Sequence, residues 1–141
     1  MNKMSALLAF ASLLVTTPVL AGEFAEPSEA VNAYITGVKT GSGAHLEQAF
    51  ADTARIQYYN DKGEYQLFTR SEFAAMVDGG SDWDANIEIT NLLKTGNAAN
   101  ATVEFTWGES GQHGYVDYLN LIYADGSWRI TNKVAQYVAR N

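Results

Sequence analysis

From Ala85 onward the chain is a succession of long segments in which apolar and polar residues alternate with a period of two. Ala85–Lys94, Ala98–Trp107, Tyr115–Tyr123 and Trp128–Val138 are separated by Gly96-Asn97, by Gly108–Gly114 and by Asp125-Gly126. Such alternation places successive side chains on opposite faces of a half-buried strand, and glycine-bearing links join antiparallel neighbours. Four strands in a row form a wide meander that has to twist and curl. Whatever precedes the meander must cover one of its faces.

The preceding segment supplies that cover. Pro27-Ser28-Glu29 predicts a helix start, with Ser28 as N-cap and acidic residues at the positive end of the dipole. Val31, Tyr34, Ile35 and Val38 follow at helical spacing, and Gly41-Ser42-Gly43 stops the helix. A second short helix over Ala44–Phe50 presents Leu46, Ala49 and Phe50 on one face. Ala54–Asn60 and Tyr65–Phe68 read as a hairpin around Asp61-Lys62-Gly63. Thr69-Arg70-Ser71-Glu72 matches a capping box opening a third helix, with Phe73, Met76 and Val77 as its apolar stripe and Gly79-Gly80 as its end. The expected order is α-α-β-β-α-β-β-β-β. Its fold class is α+β, with three N-terminal helices packed on a strongly curved antiparallel sheet. The open end of such a cone is a small-molecule pocket.

Before this domain lies a different kind of segment. Met1-Asn2-Lys3 is followed by the apolar run Ala6–Val15, broken only by Ser12, and Val19-Leu20-Ala21 offers the small-residue pattern of a signal-peptidase site. The run is short for a membrane span, which needs about 20 apolar residues. A lipoprotein anchor would require a cysteine, and the chain has Cys 0. Residues 1–21 are therefore expected to be a signal peptide cleaved after Ala21, 22–27 a flexible lead, and 28–141 the domain. The mature protein is expected in the periplasm or secreted, with no stable membrane association.

Composition narrows the chemistry. Nine Lys+Arg stand against 16 Asp+Glu, a net charge of −7 that becomes more negative once Lys3 leaves with the leader. That balance excludes nucleic acid as a partner, because phosphate binding needs a surplus of basic residues on one face. Without cysteine there are no disulfides, thiolate metal sites or cysteine nucleophiles, and two His make a zinc site unexpected. No metal or cofactor is expected. Neither a phosphate-binding glycine loop nor a nucleophile elbow is present. The positive signal is the aromatic content, Tyr 8, Phe 6 and Trp 3.

Strand parity assigns those aromatics to a face. Ala101, Val103, Phe105 and Trp107 face inward, with Thr102, Glu104 and Thr106 outward. Tyr115, Asp117, Leu119, Leu121 and Tyr123 form the next inward set. Trp128, Ile130, Asn132 and Val134 form the last, which sends Arg129, Thr131 and Lys133 outward. Earlier, Ile56 and Tyr58 point in while Arg55 and Gln57 point out. Asp117 then stands as a single carboxylate on an aromatic and aliphatic wall, where desolvation raises its pKa. Tyr58, Trp107, Tyr115, Asp117 and Asn132 are the expected ligand-binding residues. His113 is read as a solvated residue of the Gly108–Gly114 loop near the rim, and His45 as a surface residue. A buried structural network of Asp117 with Asn132 or Tyr58 is the competing reading of the same residues.

Asp117-Tyr118-Leu119-Asn120-Leu121, followed by Asp125-Gly126-Ser127-Trp128-Arg129-Ile130-Thr131-Asn132-Lys133-Val134, resembles the nuclear-transport-factor-2-like superfamily, and within it the bacterial branch labelled putative lumazine-binding proteins. Phe50-Ala51-Asp52 with Ala54, the hairpin and the Arg70–Val77 helix fit the same pattern, so the resemblance spans roughly Ser28–Val138. It implies a cystatin-like sheet around a cone-shaped pocket, often in a homodimer. The superfamily includes ketosteroid isomerase, dehydratases, epoxide hydrolases and cyclases beside many non-catalytic binders, so the fold constrains shape more than chemistry. In the isomerase branch the general base is an aspartate on the first strand, and the equivalent position here holds Tyr58. With an ordinary pKa near 10, tyrosine is a poor base at neutral pH.

The sequence therefore points to an exported binder of a small, partly apolar or aromatic molecule without evident catalysis. Two alternatives stand beside it. One is a lyase or isomerase using Asp117 as acid or base. The other is a homodimeric interaction module using the outer sheet face, whose polar Thr102, Glu104 and Thr106 argue against a large dry interface there.

Overall fold

The computed structural model describes residues 23–140. The expected leader and its cleavage site lie outside the described residues. The elements are α1 (Pro27–Thr40), α2 (Gly43–Ala49), β1 (Phe50–Tyr59), β2 (Tyr65–Thr69), α3 (Arg70–Val77), β3 (Asn86–Thr95), β4 (Ala98–Trp107), β5 (His113–Ala124) and β6 (Ser127–Ala139). This is the expected order.

One six-stranded sheet runs β2-β1-β6-β5-β4-β3. The meander from β3 to β6 is antiparallel throughout, as is the β1–β2 hairpin. The join between them differs from the antiparallel expectation, because β1 lies parallel to β6 and runs beside it from Phe50–Ile130 to Tyr59–Gln136. Alternation fixes the faces of a strand but not the remote strand that closes its open edge.

All three helices cover the same side of the sheet. α1 buries Ala30, Val31 and Tyr34, and α2 buries Leu46 and Ala49, against Phe50, Ile56, Val103, Phe105, Leu119 and Ile130. The start of α1 lies before the expected Ser28: Glu26 is the N-cap, Pro27 opens the helix, and Glu29 completes a capping box with Glu26. Proline suits the first helical position, where its preset φ fits and its missing N–H would have no intrahelical partner anyway. Phe24, in the stretch read as a flexible lead, donates its N–H to Ser127 Oγ at 2.8 Å and accepts from Trp128 N at 3.0 Å.

α1 ends at Gly41, whose φ of 71° lies in the left-handed region. A Cβ there would stand 2.2 Å from the Gly80 carbonyl oxygen, so the close approach of the two helix ends also requires glycine. α3 begins at Thr69, whose hydroxyl accepts from Glu72 N at 3.2 Å. Its end returns to α1, and Trp83 N donates to Lys39 O at 2.8 Å. That bond anchors the connection between α3 and β3 and places the Trp83 ring at the mouth of the cone.

Two bulges interrupt the meander. Ile89 and Asn91 face consecutive residues of β4, leaving Thr90 as the extra residue. In β6, Ile130 pairs with Leu121 and Asn132 with Asn120, so Thr131 is the extra residue. A bulge inverts the inward parity of everything beyond it. After Thr131 the inward residues are Lys133 and Ala135, both buried, while Val134 is 49% exposed. The expectation that Asn132 and Val134 point inward and Lys133 outward is thus reversed by a single inserted residue.

Candidate functional site

The concave face and the helices enclose a cavity of about 220 Å³. β1, β4, β5 and β6 contribute Tyr58, Phe105, Tyr115, Asp117 and Lys133 to its lining; α1 contributes Tyr34 and Val38; α3 contributes Phe73, Met76 and Val77; and Trp83 closes one side. Tyr58, Tyr115 and Asp117 are where sequence parity placed them. Trp107 stands behind the wall, stacked on Tyr115 at 5.7 Å between ring centroids. Asn132 lies on the opposite face of β6, paired with Asn120 and Arg55. It is not beside Asp117.

The base of the cavity is a three-membered polar cluster from three elements. The Tyr34 hydroxyl donates to Asp117 Oδ2 at 2.5 Å, and Lys133 Nζ donates to the same hydroxyl at 2.9 Å. Lys133 Nζ and Asp117 Oδ2 are 3.5 Å apart. Three rings surround the ammonium, with centroids of Phe73, Tyr34 and Tyr58 at 4.8, 5.2 and 5.4 Å. Ring faces attract a cation, and the attraction grows as water is excluded. Cross-strand register explains the gathering: Tyr58 pairs with Ala135, Ala135 with Asp117, and Ile56 and Leu119 flank Lys133.

Burial raises the Asp117 pKa above the ordinary carboxylate range, with Lys133 and the Tyr34 hydroxyl pulling it back. Burial also pushes the Tyr34 phenol well above its ordinary value, and the Asp117 charge adds to this. Tyr58 is raised by burial, and Tyr115 is pushed up to about 12 by burial and then by acidic and phenolic neighbours. All three tyrosines therefore stay protonated at neutral pH and serve as hydrogen-bond donors, not bases. Asp117 is the cavity's carboxylate. Its Oδ1 is buried and has no hydrogen-bond partner among the described residues.

The rim is a continuous aromatic stack. Trp107 meets Trp83 edge-on at 5.0 Å and stacks on His113 at 5.6 Å, and Tyr137 packs edge-on to Tyr115 at 5.6 Å. His113 is the first residue of β5 and not a solvated turn residue, and its Nδ1 lies 2.6 Å from the Tyr137 hydroxyl. Among the described residues no group of His, Cys, Asp and Glu is arranged to hold a metal ion. No described helix is long and apolar enough to cross a membrane.

Sequence reasoning missed Tyr34 and Lys133. Tyr34 was visible as a core position of α1, but not that its hydroxyl reaches a carboxylate 83 residues away. For Lys133 no signal existed: Trp128, Ile130, Val134 and Val138 keep even apolar parity throughout, and only the register break at Thr131 turns Lys133 inward.

A curved mixed sheet covered on one side by three helices, with a cavity between, defines the cone of NTF2-like proteins. The family described as "Putative lumazine-binding" matches residues 23–136, and the chain belongs to it. An NTF2-like protein of unknown function from Silicibacter pomeroyi is 27% identical with a TM-score of 0.68, covering 78% of this chain and 91% of its own. One from Methylobacillus flagellatus is 25% identical with a TM-score of 0.68, covering 80% and 90%. A third, from Shewanella baltica, shares the fold at 18% identity and a TM-score of 0.69, covering 81% and 92%. No curated protein matches the chain.

Proposed function

We propose that the protein is an exported binder of a small, neutral, planar molecule, held in the cone between aromatic walls with a hydrogen-bond donor directed at Asp117. The observation that carries this reading is Asp117 Oδ1, a buried acceptor with no partner among the described residues, at the base of a cavity walled mainly by aromatic and aliphatic side chains. An unpaired buried polar atom costs about 1–3 kcal/mol, which a ligand N–H or O–H offsets. Lys133 balances the carboxylate charge, so the ligand itself need not be charged. The volume is below the roughly 300–1,000 Å³ of drug-sized sites, which favours a compact ring system. The family description suggests lumazine, a planar ring system carrying N–H groups, as one such molecule.

Thermal unfolding with a panel of planar ring compounds, lumazine among them, tests the reading. Binders carrying an N–H donor stabilise the protein, by about 2.7 kcal/mol at a hundred times Kd. Their N-methylated counterparts do not. Equal stabilisation by both forms, or by none, overturns it. Export is tested by N-terminal sequencing after expression in a bacterial host. A periplasmic or secreted chain beginning at Gly22 supports it, and a cytoplasmic chain retaining residues 1–21 overturns it.

A second reading has an observation of its own. Leu67, Gln57, Val134 and Tyr118 lie in register across the outer sheet face, and Leu67, Val134 and Tyr118 are about half exposed. This uncharged row suits a homodimer, which light scattering would show as a doubled mass.

A further inference from the structure

We propose that Lys133 captures small aldehydes covalently, as a protonated imine held between Asp117 and the rings of Tyr34, Tyr58 and Phe73. This rests on the small-molecule reading of the cavity and extends it to the chemistry of the ligand. Lys133 lines the cavity although its side chain is only 9% exposed, and in noncovalent binding its nitrogen does no more than donate to Tyr34 and balance the Asp117 charge. Lysines in desolvated, apolar surroundings are the ones that form Schiff bases with carbonyl compounds.

The neighbours supply what the reaction needs. Asp117 accepts from Tyr34 and faces Lys133 through Oδ2, while Oδ1 has no partner among the described residues. A proton passed from the ammonium to Oδ2, 3.5 Å away, leaves that oxygen a lone pair for the Tyr34 hydroxyl. The freed amine adds to the aldehyde carbon, forming the C–N bond as the C=O π bond breaks, and one of the two amine protons passes to the oxygen, which becomes a hydroxyl. Asp117 returns its proton to that hydroxyl, which departs as water, and the remaining N–H stays on a C=N bond. Ammonium and aldehyde thus become iminium and water, with the positive charge conserved. The aromatic cage and the carboxylate that hold the ammonium hold the iminium equally well. At about 220 Å³ the cavity fits a one-ring aldehyde.

The test incubates the full chain with benzaldehyde at neutral pH, reduces it with cyanoborohydride, and maps the modified lysine by peptide mass. Reduced adduct is expected at Lys133 in excess over the exposed Lys39, Lys62 and Lys94. Benzamide, of similar shape but unable to form an imine, should suppress it. Lys133→Arg should abolish labelling within the cavity, and Asp117→Asn should slow it by about 100-fold or more, the scale of proton-transfer assistance. Should either variant fail to fold, the distribution of label on the unmodified chain still decides. Label confined to the exposed lysines overturns the proposal. If benzamide shifts the NMR resonances of the cavity while Lys133 stays unlabelled, covalent capture is wrong and the binding reading stands. If benzamide neither binds nor competes and no label reaches Lys133, both fall.

Discussion

At the base of the cavity, Tyr34, Asp117 and Lys133 lie within 3.5 Å of one another and depend on three separate elements. At the rim, Trp83, Trp107, His113, Tyr115 and Tyr137 meet at centroid distances of 5.0–6.2 Å, and each ring touches at least one other. The base is polar and buried, and loss of one member leaves the others uncompensated. The rim is aromatic and half-buried, and loss of any ring but Trp107 leaves the rest in contact.

Breaking the base should have the largest effect. Lys133→Met leaves Asp117 a buried charge without its cation and should cost about 3–5 kcal/mol in urea unfolding. The triple change Lys133→Met, Asp117→Leu and Tyr34→Phe should recover most of that loss, since it leaves no member of the cluster unpaired. A triple variant as unstable as the single would show that the base does not act as a unit. Tyr34→Phe removes only the bridging hydroxyl and should cost about 1–3 kcal/mol.

The pH dependence follows from the same cluster. Burial holds the folded-state pKa of Asp117 above its unfolded value. The native state therefore binds the proton more tightly between those two values, and stability falls as pH rises through that window. The Asp117 contribution is fully present below the unfolded pKa of about 4 and is lost above the folded one. Asp117→Asn should lower stability overall yet flatten this decline, as measured by urea unfolding at a series of pH values. A decline of equal slope in both proteins would place its source elsewhere.

The rim should respond less. Trp83→Leu keeps apolar bulk and loses two ring contacts, with Phe105 and Trp107, worth about 0.5–1.5 kcal/mol each. A larger loss would make the rim as cooperative as the base. Smallest of all, Tyr118→Ser on the exposed outer face should change monomer stability by no more than about 0.5 kcal/mol. If the outer face joins two copies, the same change should lower the mass in light scattering.

The inward face of β4 was legible because Ala101 to Trp107 alternate without interruption, and that of β5 because no bulge breaks the odd parity from Tyr115 to Leu121. β6 was legible only as far as Ile130. Thr131 is a residue like its neighbours, and nothing in its identity marks it as the extra one. The bulge exists because Asn120 and Leu121 pair with Asn132 and Ile130, a fact of register between strands. Asn132 consequently left the site and Lys133 entered it.

By itself the sequence determined the helix and strand order, the cover on one sheet face, the aromatic wall and the isolation of Asp117 on it, since each follows from local periodicity and turn chemistry. Only the tertiary structure decided that β1 runs parallel to β6, that Tyr34 and Lys133 are partners of Asp117, and that Oδ1 has no partner among the described residues. Those depend on which remote segments share a hydrogen-bond ladder, and a one-residue shift in that ladder exchanges an amide for an ammonium at the base of the cavity.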